Sequence, residues 1–248
     1  MKDKKIETPE KALIAIADTH GHLDILHKLL QKIEDSYEEY DLIFMGDYCD
    51  NGPQIKELLE FLIDFTKKEN VYAILGNHDL ACLRSLGYPQ KQPDPIWFSR
   101  WRERYWDFGG STAFAYDAYS AQELEQKMPK SHQDFLWNLP WVLELRDHVF
   151  VHSGMEIGPL EPQILKLKQN VLPQFHIDLP PQIREKDLSA LHDPNWMMTV
   201  VSAHNKRPTG VLGKSFFAPK RVCIAADVDR QKCLRAVELV TRTELTAQ

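Results

Sequence analysis

An α/β sandwich built on parallel strands is the fold class this sequence predicts, and three observations predict it. Short apolar runs rich in β-branched residues alternate with amphipathic helical stretches from residue 12 to residue 75. The loops between them are short, the pattern of strand–helix–strand units with a parallel sheet. Each apolar run also ends in a polar cluster, "ADTHGH", "GDYCDNG" or "GNHD". In parallel sheets those C-terminal ends lie along one edge, where ligands bind.

The elements follow in order. "ALIAIA" (Ala12–Ala17) reads as a buried strand. "DILHKLLQKI" places Ile25, Leu26, Leu29, Leu30 and Ile33 on one helical face, with Asp24 as its N-cap. "DLIFM" is the second strand. Pro53 opens a second helix with Ile55, Leu58, Leu59 and Leu62 on one side. "VYAIL" (Val71–Leu75) is the third strand, and a further helix begins near Asp79. Residues 87–139 carry four tryptophans, several prolines and helix-like runs at Ala121–Lys127 and Ser131–Asn138. They read as a helical cap inserted into one domain that spans 1–248. Strands return at "WVLEL", "HVFVH" and "MMTVVSAH", and "RVCIAA" and "CLRAVELV" read as a hairpin across "DVDRQK". Residues 156–195, with six prolines, are expected to be loop and short helix.

Composition narrows the function classes. A chain of 248 residues that is 43% hydrophobic can bury a sizeable core. Net charge is −6, and no long basic stretch offers a footprint for nucleic acid. No apolar stretch approaches the roughly 18 residues of a membrane span. Cys49, Cys82, Cys223 and Cys233 have no paired spacing, which fits free thiols in a reducing compartment. The expectation is a soluble, cytoplasmic protein without nucleic-acid or membrane partners.

Asp18, His20, Asp47, Asn77, His152 and His204 each fall within a few residues of the end of an apolar run. Carboxylate, imidazole and amide oxygens together suit borderline or hard divalent ions such as manganese, iron or zinc. Two such ions about 3.5–4 Å apart clamp the oxygens of an in-line phosphoryl displacement. Singly, each residue has a plainer explanation, since Asp-Gly and Asn-Gly pairs usually make turns. Six of them at strand ends are hard to explain as turns.

"DTHGH", "GDYCDNG", "GNHD", "VHSG" and "AH" resemble the successive motifs of the calcineurin-like metallophosphoesterases. "VHSG" and the helical middle ending in "PKSHQDFLWNLPWVLEL" are similar to the phosphoprotein phosphatase branch, in its bacterial-type, Rhizobiales-like form. The resemblance covers about Ile14 to Leu239. It implies a metallophosphoesterase-type β-sandwich of two mixed sheets flanked by helices, with two divalent metal ions. Asp18 and His20 would hold the first ion, Asp47 would bridge, and Asn77, His152 and His204 would complete the second. His78, hydrogen-bonded to Asp50, would protonate the leaving alkoxide, and a carboxylate partner suits an imidazole in that task. A hydroxide bridging the two ions would attack phosphorus directly, without a phosphoenzyme.

The motifs also depart from the family pattern. Asn51 stands where the family usually has a phosphate-binding arginine, and a neutral amide makes no bidentate charged contact. Ala203 precedes His204 in place of glycine, with Lys206 and Arg207 following, and Ala225 occupies a position that is commonly acidic. By resemblance Arg184 is the second phosphate-binding arginine; Arg207 or Lys206 is expected to replace the first in part, the alternative for both being a solvated surface pair. The aromatic group Trp97, Phe98, Trp101, Tyr105, Trp106 and Phe108 is cap core, or else a wall for an aromatic substrate; Cys49 is packing; His22 is a helix entry that could touch substrate. The leading function is a phosphomonoesterase acting on phosphorylated protein, weakly favouring phosphotyrosine. A nucleotide hydrolase of the diadenosine tetraphosphatase kind is the alternative. A pseudo-enzyme that keeps the fold as a binding module is a third possibility, to which Asn51 and "AHNKRP" point.

Overall fold

The strands assemble into two five-stranded mixed sheets. The computed structural model describes residues 11–105, 111–169 and 180–248, except the side chains of 103–105. Ala12–Ile16 (β1), Tyr40–Phe44 (β2) and Val71–Ala73 (β3) are parallel neighbours, with Ile14 opposite Leu42 and Ile43 opposite Tyr72. Leu23–Ser36 (α1) and Ile55–Phe65 (α2) make the crossovers. The first sheet is completed by Leu234–Glu238 (β9) and Thr243–Ala247 (β10), in the order β10-β9-β1-β2-β3. The second holds Val142–Leu145 (β4), His148–Val151 (β5), Thr199–Ser202 (β6), Phe216–Ala218 (β7) and Arg221–Cys223 (β8), in the order β4-β5-β6-β8-β7.

Side-chain alternation builds the layers. Leu13 and Ala15 of β1 point into an inter-sheet core with Ile43, Phe150, Val201, Val222 and Val237. Ile14 and Ile16, one residue out of phase, join Leu42 and Phe44 in the layer that meets Leu26, Leu29 and Ile33 of α1 and Leu58, Leu59 and Leu62 of α2. A strand buried on both faces reads as a continuous apolar run, which is why β1 and β2 were legible.

Asn77–Ser85 (α3) follows β3, and the middle segment supplies Pro95–Tyr105 (α4), Thr112–Ala115 (α5), Ala121–Lys127 (α6) and Lys130–Asn138 (α7). Their apolar residues, among them Phe98, Trp101, Tyr116, Leu124 and Leu136, are continuous with the helix-side core. Of the predicted aromatic group, Trp106 and Phe108 and the Tyr105 side chain lie outside the described residues. In the proline-rich stretch, Leu160–Lys168 (α8), Pro181–Arg184 (α9) and a 3₁₀ turn over Lys186–Ala190 appear. Cys49, Cys82, Cys223 and Cys233 are buried free thiols. Among the described residues, no helix is long and apolar enough to cross a membrane.

Three expectations are corrected. β8 and β9 do not form a hairpin: β8 pairs with β6 and β7, whereas β9 pairs with β1 and β10. Between them, a helical turn over Val228–Gln231 (α10), closed by Lys232 at φ 51°, carries the chain from one sheet to the other. His22, not Asp24, is the N-cap of α1, and it makes no side-chain capping bond; Asp24 lies in the first turn. Pro53 precedes Gln54, the N-cap of α2, rather than opening the helix.

Leu29 is fully buried where α1 meets the sheet. Leu29→Ala is expected to destabilise the fold by about 2–5 kcal/mol through lost transfer energy and a residual cavity. A lowered urea midpoint at unchanged m-value would show it.

Candidate metal centre

The polar ends of β1, β2, β5 and β6, with the start of α3, converge beside one cavity. The cavity has a volume of about 690 Å³ and is lined by Asp18, His20, Asp47, Asn51, Asn77 and His78 on one side. His204, Lys186, Asn205, Lys206, Arg207, Asp229, Arg230 and Lys232 line the rest. Backbone bonds knit the loops together: His20 N–H donates to Asp47 O, and Ala203 N–H donates to His152 O.

The six ligand candidates are brought together around Asp47. Asp18, Asp47, His152 and His204 place one ligand atom each within 4.8 Å of one another, and His20, Asp47 and His78 form a second such group. Asn77 Oδ1 lies 3.1 Å from His152 Nε2. The grouping differs from the expected one in that Asp18 clusters with His152 and His204. Asp47 belongs to both groups, as a bridging ligand must.

Each imidazole is held by its other nitrogen. His20 Nδ1 is 2.9 Å from Cys49 O, and His152 Nδ1 is 2.7 Å from Met45 O. His204 Nε2 is 2.9 Å from Arg184 O, leaving Nδ1 for a ligand. Such backing fixes the tautomer and aims the opposite nitrogen. The atom they surround is Asp47 Oδ2. The Nε2 atoms of His152, His20 and His78 lie 3.3, 3.7 and 3.9 Å from it, yet it is buried and accepts no hydrogen bond of good geometry. A buried carboxylate oxygen without a partner is costly in protein alone. A divalent cation between it and the imidazoles removes that cost, so the residues fit paired metal ions.

Electrostatics agree. Burial pushes the Asp18 carboxyl up to about 6, and the charge of Asp47 adds to this against His152 and His20. Burial also opposes charge on Asp47, but the imidazoles of His152 and His78 hold it well below the usual carboxylate range. Burial disfavours the His152 imidazolium, yet Asp47 and Asp18 raise it to about 10. Burial and neighbouring His152 lower His204 to about 3. His152 thus stands in as the counter-cation to two adjacent carboxylates, and a metal ion would take over that role while returning the ring to its neutral, ligating form.

The backbone is strained where it carries these groups. His20, Asp47, Asp50, Asn51 and His204 all have positive φ, from 43° to 68°. Non-glycine residues adopt that region at a cost, and such outliers cluster at functional sites. Gly76 allows a close approach: a Cβ there would meet Asp47 Oδ1 at 2.1 Å.

Asp79, which the sequence marked only as a helix start, holds the loop in this shape. Its buried carboxylate accepts from the N–H groups of Asp47 and Gly76 at 2.9 Å through Oδ2. Oδ1 accepts from Tyr48 at 2.9 Å and Cys49 at 3.1 Å. The one available signal was its place at the third position of α3, where a carboxylate reaches back to the N-cap N–H.

His78 donates from Nδ1 to Asp50 Oδ2 at 2.8 Å, the predicted pair. Burial lowers its basicity, but Asp47 and the Asp50 hydrogen bond outweigh this and raise it to about 8. The cationic candidates separate. Arg207 and Lys206 line the cavity, with Lys206 paired to Asp229. Arg184 is not among the lining residues; its guanidinium pairs with Glu185 at 3.0 Å, and its carbonyl anchors His204. Asn51 lines the cavity, its Nδ2 3.4 Å from the His20 ring nitrogens. His22 is buried at the entry to α1.

Two mixed sheets flanked by helices, with carboxylates and imidazoles gathered at the strand ends, define a metallohydrolase-type centre. The model of the calcineurin-like phosphoesterase family matches residues 12–195, and the chain belongs to that family, which is dinuclear-metal dependent. A symmetrical bis(5'-nucleosyl)-tetraphosphatase of Pseudomonas syringae pv. syringae (strain B728a) is 36% identical over 72 residues. The match spans 29% of this chain and only 24% of that relative. A protein serine/threonine phosphatase from Saccharomyces cerevisiae superposes with a TM-score of 0.60 at 15% identity, covering 98% of this chain and 81% of its own. A cold-active protein-tyrosine phosphatase of a psychrophilic Shewanella superposes with a TM-score of 0.56 at 18% identity, covering 96% and 80%. These likenesses to solved structures are likenesses of fold.

Asp79→Asn replaces one acceptor oxygen with an amide whose hydrogens face backbone N–H groups. Metal affinity is expected to fall roughly 10- to 100-fold, as for other residues that orient ligands. Calorimetric titration with manganese checks this, and unchanged affinity would deny Asp79 the role.

Proposed function

We propose that this chain is a dinuclear metal-dependent phosphoester hydrolase whose substrate carries more than one phosphate, of the dinucleoside polyphosphate kind. The observation that carries the finer part is the cavity rim. Lys186, Lys206, Arg207, Arg230 and Lys232 surround the ligand cluster, against one acidic side chain beyond that cluster, Asp229. That is more positive charge than a single phosphate monoester needs, and it suits a chain of phosphates that extends past the ions.

Asp18, His20, Asp47, Asn77, His152 and His204 would hold the metals, with manganese, iron or zinc all matching the donors. Paired divalent ions, when bound, supply a water-derived nucleophile at neutral pH and offset charge on the phosphoryl oxygens. His78 stands at the cavity wall with Asp50 on its Nδ1. From Nε2 it gives a proton to the leaving oxygen, which keeps the electron pair of the broken P–O bond. Arg207 and Lys206 hold the phosphates in place of the arginine that Asn51 replaces. Arg184 serves through its carbonyl, which fixes His204.

A phosphorylated protein side chain is the second reading. Among the described residues, no aromatic side chain other than imidazole and no aliphatic one lines the cavity, so a purine finds no stacking platform there.

With manganese present, diadenosine tetraphosphate is expected to be hydrolysed with kcat/KM about tenfold or more above p-nitrophenyl phosphate or a phosphotyrosine peptide. Preference for the peptide would select the second reading. Metal-loaded protein inert toward all three would leave only a binding module. Arg207→Ala is expected to raise KM for the tetraphosphate by roughly 10- to 100-fold, the worth of a charged hydrogen bond. Wild-type kinetics would remove Arg207 from the site.

A further inference from the structure

We infer that the cap is part of the proton-delivery apparatus: Trp101 and Thr112 are positioning residues that fix Asp50 and, through it, the ring of His78. The inference rests on the role proposed above for His78.

Asp50 is fully buried, and its carboxylate is saturated. Oδ2 accepts from Trp101 Nε1 at 2.7 Å as well as from His78 Nδ1 at 2.8 Å. Oδ1 accepts from the backbone N–H of Thr112 and from its hydroxyl, both at 2.9 Å. The same hydroxyl accepts from Asp50 N–H at 3.0 Å. One hydroxyl can donate once and accept as well, so the exchange is chemically consistent. It also clamps a residue at φ 62°. The donors come from α4 and α5, 51 and 62 residues along the chain from Asp50. Both are themselves buried, Trp101 at 5% exposure and Thr112 at 0%.

Four hydrogen bonds from two directions leave the carboxylate plane no freedom to turn. The Nδ1–H axis of His78 is thereby fixed, and with it the direction in which Nε2 points. A proton donor displaced by about 1 Å can lose about a hundredfold in rate. Packing alone would bury the indole without aiming its one donor at the carboxylate. The short bond to Asp50 Oδ2 is the feature that packing does not explain.

The test is a mutant cycle on manganese-loaded protein with p-nitrophenyl phosphate. Trp101→Phe keeps the ring and removes the donor. It is expected to lower kcat about tenfold with KM unchanged. His78→Asn is expected to lower kcat about 10²- to 10⁴-fold. If Trp101 acts through His78, the double variant matches His78→Asn alone. Additive losses, or a wild-type kcat in Trp101→Phe, would overturn the inference. Thr112→Val should show the same loss and Thr112→Ser should restore most of it; equal defects in both would count against Thr112. A second readout needs no turnover. The indole N–H resonance missing from Trp101→Phe should exchange slowly in wild type and shift in Asp50→Asn. A fast-exchanging, unshifted signal would refute the contact. Should the wild type leave every ester intact, the proposed function fails while the resonance still decides the cap contact.

Discussion

Two carboxylates buried side by side, Asp18 and Asp47, set the terms for the rest of this molecule. Neither faces water to any useful extent, and one oxygen of Asp47 has no donor. Their mutual repulsion is tolerable only with positive charge at close range. The imidazoles of His152 and His78, both raised by the Asp47 charge, provide part of it. The surrounding structure serves this arrangement: the strand ends bring the acids together, backbone carbonyls aim the histidines, and the helix layer keeps solvent from one side.

Because the candidate ligands come from both sheets, the centre also joins them. His152 reaches from the second sheet to the Met45 carbonyl of the first. The His204 N–H donates to Asp18 across the same gap at 3.1 Å. The inter-sheet core of Leu13, Ile43, Val201 and Val222 lies directly behind these contacts. Packing and the candidate ligands therefore meet at the same interface, and strain in the loops is held by groups such as Asp79 that bind backbone.

Much of this was readable from the chain. Doubly buried strands leave unbroken apolar runs, so β1 and β2 and the residues just after them stood out. Helix faces such as Ile25 to Ile33 carried the 3.6-residue period. What escaped were features without a local signature. β10, "TELTA", is mostly polar and exposed, and β7 has three residues, so neither makes a pattern. The partner of β9 was misassigned because an apolar strand does not say which sheet it joins. Asp79 and Thr112 hydrogen-bond to groups distant in sequence, the backbone of Asp47 to Cys49 and the carboxylate and N–H of Asp50, and spacing does not encode that. Trp101 was read as packing, and it lies in the helix-side core, but a hydrogen bond from an indole nitrogen is invisible until the fold closes.

The order of strands has a bearing on synthesis. β1 pairs on one side with β2, some thirty residues later, but on the other with β9, where Ile14 meets Glu238. As the chain leaves the ribosome, one edge of that central strand stays open until residues 234–238 have emerged. Pairings of such long sequence separation form slowly, and an unpaired apolar edge is prone to aggregate. The C-terminal hairpin is thus the latch of the first sheet, and a nascent chain stalled before Leu234 would present that edge to any chaperone within reach.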